Sequence, residues 1–188
     1  MVARAEAASA TRERLLASAW RHFAAHSFEA VRLTDVAREA GVSAQTLHNH
    51  FRTKDDLFVA AWRWTMAPEG ARRDSAAPGD VRAAIAVLYD SYDKDADAVL
   101  RLLTQEERIP AVHEMAEAGR QWHRAWVERT FAHLLDGLSG TARERRLVAL
   151  VVATDVLVWK LLRREMGLSR VAAERIVADM VTASKGAP

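Results

Sequence analysis

The 188-residue sequence predicts an all-α protein of about nine helices, with a three-helix N-terminal head followed by a helical C-terminal domain. Three observations carry that expectation. Apolar residues recur at three- and four-residue spacing through most of the chain. Caps and breakers fall at the ends of those periodic runs, as at Ser43, Thr53, Pro110 and Ser169. No segment shows the strict alternation of a half-buried strand.

Composition narrows the class further. Half of the residues are apolar, so a substantial core can form. The absence of cysteine excludes a disulfide framework and a thiolate metal site, and suits a reducing cytoplasm. No apolar run follows the basic residue near the N-terminus, so no secretory signal is expected. The longest apolar stretch, Leu147 to Leu162, is interrupted by Thr154, Asp155 and Lys160 and is short for a bilayer. The expectation is a soluble cytoplasmic protein with no membrane partner.

The helices read in order as follows. Residues 1–10 are small and polar and are expected as a flexible arm. Thr11 can cap a first helix that buries Leu15, Leu16, Ala19 and Phe23. A second helix over about 33–40 carries Leu33, Val36 and Ala37 on one face, and Gly41 stands where the chain must turn sharply. Ser43 can cap a third helix over about 44–51 that turns Leu47 and Phe51 inward. Thr53 caps a fourth, whose first turn holds Lys54, Asp55 and Asp56. The acids suit the helix dipole, whereas Lys54 opposes it and points to another use. Residues 67–80, with two prolines and two glycines, read as a linker or an interrupted helix. Beyond it, helices are predicted over about 80–92, 95–107, 110–136, 141–166 and 169–184. Pro110 fits a first turn, Thr141 to Glu144 a capping box, Gly167 a C-cap and Ser169 an N-cap. The domain division is therefore a head over 11–66 and a C-terminal domain over 67–188.

Two short helices around a tight turn, from Thr34 to Lys54, have the build of a helix-turn-helix, whose second helix lies in the DNA major groove. The residues carry more than that pattern. Phe28, Asp35-Val36-Ala37, Ala40-Gly41-Val42-Ser43, Thr46-Leu47, Phe51 and Lys54 follow one another at set spacings. Over Thr11 to Trp62 this stretch resembles the N-terminal domain of TetR-family transcriptional regulators almost end to end. The resemblance covers roughly a third of the chain at motif level, and the remainder is similar to that family only in architecture.

Charge alone does not bring this chain to DNA. Residues 1–66 hold nine Lys and Arg against seven Asp and Glu, and residues 67–188 hold eighteen of each. A few cations must therefore sit at phosphates, with dimerisation supplying the rest. Gln45, Thr46, His48 and Asn49 fall on or around the outer face of the third helix. Gln and Asn can pair with adenine, and Thr can meet a thymine methyl or a phosphate. The resemblance implies that Lys54 contacts phosphate and that His48 stands where the family usually has a phosphate-contacting tyrosine. Arg32, Thr34 and Ala44 complete the expected footprint. Three departures from the family pattern stand out: Val31 and Arg32 where hydroxyl residues are common, Ser27 in place of a glycine, and Ala44 where a cation is frequent.

The resemblance also implies a small-molecule pocket within 80–166, for which Tyr89, Tyr92, Leu103, Met115, Trp122, Trp126, Asp155 and Trp159 are the candidate lining residues. For the tryptophans, plain core packing competes with ligand contact. An ionised Asp155 in an apolar run needs a partner, and a structural pair with an Arg, a dimer contact and a handle for a cationic ligand all meet that need. The segments 141–166 and 169–184 are apolar on more than one side, which requires a partner beyond the protomer's own core. The family resemblance implies a homodimer through these helices, reading a palindromic operator. No cofactor is expected. His22 with His26, and His113 with Glu117, each offer two ligands without a third, and no phosphate-binding glycine loop or nucleophile elbow occurs, so an enzyme is not expected. The competing reading is a helical small-molecule-binding protein whose DNA-binding head has degenerated.

Overall fold

In the computed structural model, which describes residues 2–183, only helices and their connecting turns occur among the described residues. In chain order they are α1 (Val2–Ala25), α2 (Leu33–Glu39), α3 (Ala44–His50), α4 (Lys54–Arg73), α5 (Val81–Leu103), α6 (Pro110–Thr130), α7 (Gly140–Ala153), α8 (Val156–Lys160) and α9 (Arg170–Ala183). A single 3₁₀ turn over Ala132–Leu134 follows α6, and a π-type turn over Leu161–Glu165 extends α8. The all-α expectation holds.

Several boundaries differ from the sequence reading, each for a local reason. The segment expected as an arm is helical from Val2, because Ala3, Ala5, Ala7, Ala8 and Ala10 favour helix and no breaker interrupts them. The supposed linker is helical as far as Arg73, with Pro68 and Gly70 inside α4. There the pair Glu69–Arg73, one turn apart at 2.9 Å, supports the helix that the proline weakens. α5 runs unbroken through Asp93 and Lys94, where two helices were expected. The expected capping box at Thr141 does not form; α7 starts at Gly140 behind Ser139, which makes no side-chain cap bond. The helix expected over 141–166 breaks at Thr154 and Asp155. Asp155 is extended, and its carboxylate caps α8 by accepting the Leu157 N–H at 2.8 Å.

The chain divides into two compact units: residues through Pro68 with Ala98–Glu117, and Glu69–Asp97 with the residues from Ala118 onward. In the first unit, Leu15, Leu16, Ala19 and Phe23 of α1 pack with Val36, Ala37, Leu47, Phe51, Leu57 and Phe58, and Leu102, Val112 and Met115 join the same core. Phe28 stacks on Phe23 with ring centroids 5.4 Å apart and meets Phe58 edge-on at the same separation. Its backbone N–H donates to the buried Gln105 side chain at 2.9 Å. Fully burying each such apolar side chain contributes about 1.5–3 kcal/mol.

In the second unit Ile85, Leu88, Trp126, Val127, Phe131, Leu147, Leu150, Ala173, Val177 and Val181 are buried. Several large apolar side chains remain exposed on the same C-terminal helices, among them Val148, Val152, Leu157, Leu161, Val171 and Ile176. No helix among the described residues is long and apolar enough to cross a membrane.

Candidate nucleic-acid interface

The presentation of α3 is set from below by α1 and α2. The Arg14 Nε donates to the Ala40 carbonyl at 3.1 Å, and the buried Ser18 hydroxyl donates to the Val36 carbonyl at 3.1 Å. Arg14 thereby satisfies the C-cap carbonyl of α2, while Ser18 adds a second bond to the Val36 carbonyl, which already accepts the Ala40 N–H at 3.0 Å. Gly41 then turns the chain at φ 70°. The Val42 N–H bonds back to the Ala37 carbonyl at 3.0 Å, and the Ser43 hydroxyl caps α3 by accepting the Thr46 N–H at 3.1 Å. At the far side Thr53 and Asp56 form a reciprocal capping box, with N–H to side-chain distances of 3.0 and 3.1 Å. Leu47 is buried beneath α3, while Ala44, Gln45, His48 and Asn49 are exposed and Thr46 is half-buried.

The expected contact residues all belong to the first unit. Gln45 Nε2 donates to Asn49 Oδ1 at 3.1 Å, so the two amides are already paired along the helix. Thr46 shares a 2.9 Å hydroxyl contact with Ser43. Arg32 and Thr34 are exposed, and Arg32 occupies the N-cap position of α2 without a side-chain cap bond. Lys54 is held rather than free. Its Nζ donates to the Glu29 carbonyl at 3.1 Å and lies 4.9 Å from the centre of the Phe28 ring. Burial lowers the Lys54 pKa, with Glu29 and Asp55 acting the other way.

The departures at Val31 and Ser27 have structural reasons, and nothing in the structure explains Ala44. Val31 is buried in the head's core, so an apolar residue there replaces a cap with packing. Ser27 takes no positive φ, since among the described residues only glycines do, and serine imposes no backbone strain. Arg12, not anticipated as part of this region, is exposed with its guanidinium 5.4 Å from the Phe51 ring centre. Of the histidines considered for metal, His22 approaches Glu39 at 2.8 Å and His113 approaches Glu106 at 3.5 Å.

The effector candidates separate into two groups. Leu103 and Met115 pack in the core of the first unit, and the other six belong to the second. Tyr89, Tyr92, Trp126 and Trp159 are buried in the second unit, Trp122 is half-buried, and Asp155 serves as the α8 cap, a role added to the three considered from sequence. What gathers most of the aromatics is Arg73. Its guanidinium carbon lies 4.6 Å from the ring centre of Trp122, 5.4 Å from that of Trp126 and 5.5 Å from that of Tyr92. A cavity of about 640 Å³ does open in the first unit, lined by Arg12, Asp55, Val59, Arg63, Trp64 and Glu114 among others, and none of the eight candidates borders it.

Comparison with known proteins bears on the head first. Residues 15–61 match the model of the bacterial regulatory proteins of the TetR family. Solved structures extend the likeness in fold beyond these residues. A TetR-family transcriptional regulator from Streptomyces coelicolor is 27% identical, with 94% of this chain and 95% of that chain covered and a TM-score of 0.67. A TetR transcription regulator from Haloarcula marismortui gives 17% identity, 93% and 98% coverage and a TM-score of 0.71. A candidate transcriptional regulator from Saccharomonospora viridis, solved in complex with choline, gives 21% identity, 92% and 96% coverage and a TM-score of 0.65. Among curated proteins no sequence matches.

Proposed function

We propose that this chain is a homodimeric, ligand-responsive transcriptional repressor of the cytoplasm that binds a palindromic operator through α3 and is released by a small-molecule effector. The observation that carries the reading is the exposed polar face of α3, with Gln45, His48 and Asn49 on a helix that is capped, pinned and buried on its other side. Such a face is what major-groove readout requires. Lys54, Arg32 and Thr34 supply the surrounding phosphate donors.

Dimerisation is supported by the exposed apolar residues of α7 to α9, whose burial against a second copy would be favourable. An effector is supported by the fold shared with the choline-bound regulator from Saccharomonospora viridis. The effector would act by preferring a conformation of low operator affinity, and could shift binding only by its differential affinity for the two states.

The competing reading, a small-molecule-binding protein with a degenerate head, rests on Val31, Ser27 and Ala44; the burial of Val31 and the unstrained backbone of Ser27 weigh against it, and Ala44 remains its support. Selection of binding sites from random duplex DNA, followed by affinity measurements against salt, tests the proposal. A palindrome with a negative salt slope of several units is the expected result. No enriched sequence and weak binding only at low salt would overturn it.

A further inference from the structure

Arg73 is the last residue of α4 and is 7% exposed, which is unusual for a cation. Its surroundings are built for positive charge. Tyr92, Trp122 and Trp126 present three ring faces at 4.6 to 5.5 Å, and the Glu69 carboxylate accepts from Arg73 Nε at 2.9 Å. Ring faces are the negative ends of the aromatic quadrupole, and a cage of two or three of them with one carboxylate is how proteins bind organic cations. All of these residues belong to the second unit.

The Glu69 carboxylate has a second cation at hand. Arg72, with side chain 35% exposed, also bonds to Glu69, and so does the Ser91 hydroxyl. Departure of Arg73 would therefore not leave the carboxylate buried and unpaired. Of the three rings, Trp122 is the one that is only half-buried.

We infer that this cage is an effector site for a small organic cation, occupied in the ligand-free protein by the chain's own Arg73. The inference rests on the ligand-responsive reading above and names the chemistry of its effector. A guanidinium or alkylated ammonium would enter beside Trp122, take the place of the Arg73 guanidinium between the rings, and leave Glu69 paired with Arg72. Arg73 is an intramolecular competitor, and the apparent affinity is reduced by the fraction of time it spends in the cage.

The test uses the full chain and the isosteric pair butylguanidinium and butylurea, read by tryptophan fluorescence. The cation should give a saturable change, with affinity at least about ten-fold above that of the neutral urea, as expected for a desolvated cation–π site. Arg73→Gln, which removes the competitor, should tighten cation binding, and Trp122→Leu should weaken it. A merely structural Arg73 would give no cation binding in either form. Equal responses to cation and urea overturn the inference, and this wild-type comparison decides the matter if the Arg73 variant does not fold. DNA affinity is measured on the same preparation. Operator binding without cation binding removes the cage alone; cation binding without any DNA binding removes the regulatory reading alone.

Discussion

Arg73 Nη1 lies 3.3 Å from His123 Nδ1, and the contact fixes the form of the imidazole. Arg73 can only donate, so Nδ1 accepts, and the ring proton resides on Nε2. Nε2 is 3.1 Å from the Thr154 hydroxyl, whose own proton is given to the Leu150 carbonyl at 2.8 Å. Tyr92 completes the chain by donating to the Thr154 carbonyl at 2.8 Å, at the point where α7 ends. A buried polar network thus runs from Glu69 through Arg73 and His123 to the break between α7 and α8.

This network makes stability depend on acid. Burial and then the Arg73 charge push the His123 pKa down to about 3 from an ordinary value near 6.5. Between those values the unfolded chain binds a proton that the folded chain does not, so stability falls as the pH falls through that window. By pH 5 the loss is about 2 kcal/mol at about 1.4 kcal/mol per unit. Burial works to raise the Glu69 carboxyl, but hydrogen bonds from Ser91, Arg72 and Arg73 outweigh it and hold its pKa low, adding a loss of the same sign in more acid solution. Thermal unfolding from pH 7 to 4 checks this, and His123→Gln should flatten the slope. An equally steep profile in that variant would assign the acid sensitivity elsewhere.

Lys54→Ala should weaken binding to all DNA sequences alike and reduce the salt slope by about one unit. Lys54 gives one of its three N–H groups to the Glu29 carbonyl, which leaves two for a phosphate. A salt titration with specific and random duplexes reads the effect; an unchanged slope removes Lys54 from the phosphate contacts.

Gln45→Ala should relax preference at one base pair per half-site. Its cost should lie near 1 kcal/mol, at the lower end of the about 1–3 kcal/mol typical of a paired base contact, because Gln45 first gives up its bond to Asn49. Binding-site selection with the variant reports it, and an identical preference profile would mean that Gln45 reads no base.

Val152→Glu and Leu157→Glu place charge on side chains that are 55% and 59% exposed in the single chain. Each should convert a dimer to a monomer in sedimentation and abolish tight operator binding, with secondary structure retained. A dimer surviving both would move the interface off α7 and α8.

Asp155→Ala should cost about 1 kcal/mol of stability, the usual worth of an N-cap, whereas Asp155→Asn should cost little because asparagine caps equally well. If the two variants are equally destabilised, the negative charge matters and the cap does not account for Asp155.

The head was legible because its determinants are local. Gly41, Ser43 and Thr53 act within three or four residues of themselves, and the burial of Leu47 and Phe51 follows from helical spacing. The C-terminal helices were less so. Periodicity continues across Thr154, and the carbonyl freed at the break there is satisfied by Tyr92, 62 residues away. Pro68 and Gly70 marked a linker by composition, which hid Arg73, the residue around which Tyr92, Trp122 and Trp126 assemble. Six of the eight effector candidates do fall in one unit, yet Leu103 and Met115 pack with the head, a partition that helical spacing alone does not reveal.

The bond between Gln45 and Asn49 bears on how many sequences one protein can govern. Discrimination by polar side chains is sharp when a wrong base leaves them without a partner. Here each amide has a fallback on its own helix, so a mismatched step returns the pair to the bond it already makes. If α3 reads bases as proposed, this would suit the protein to a graded family of related operators occupied in order of affinity, rather than to a single all-or-none address.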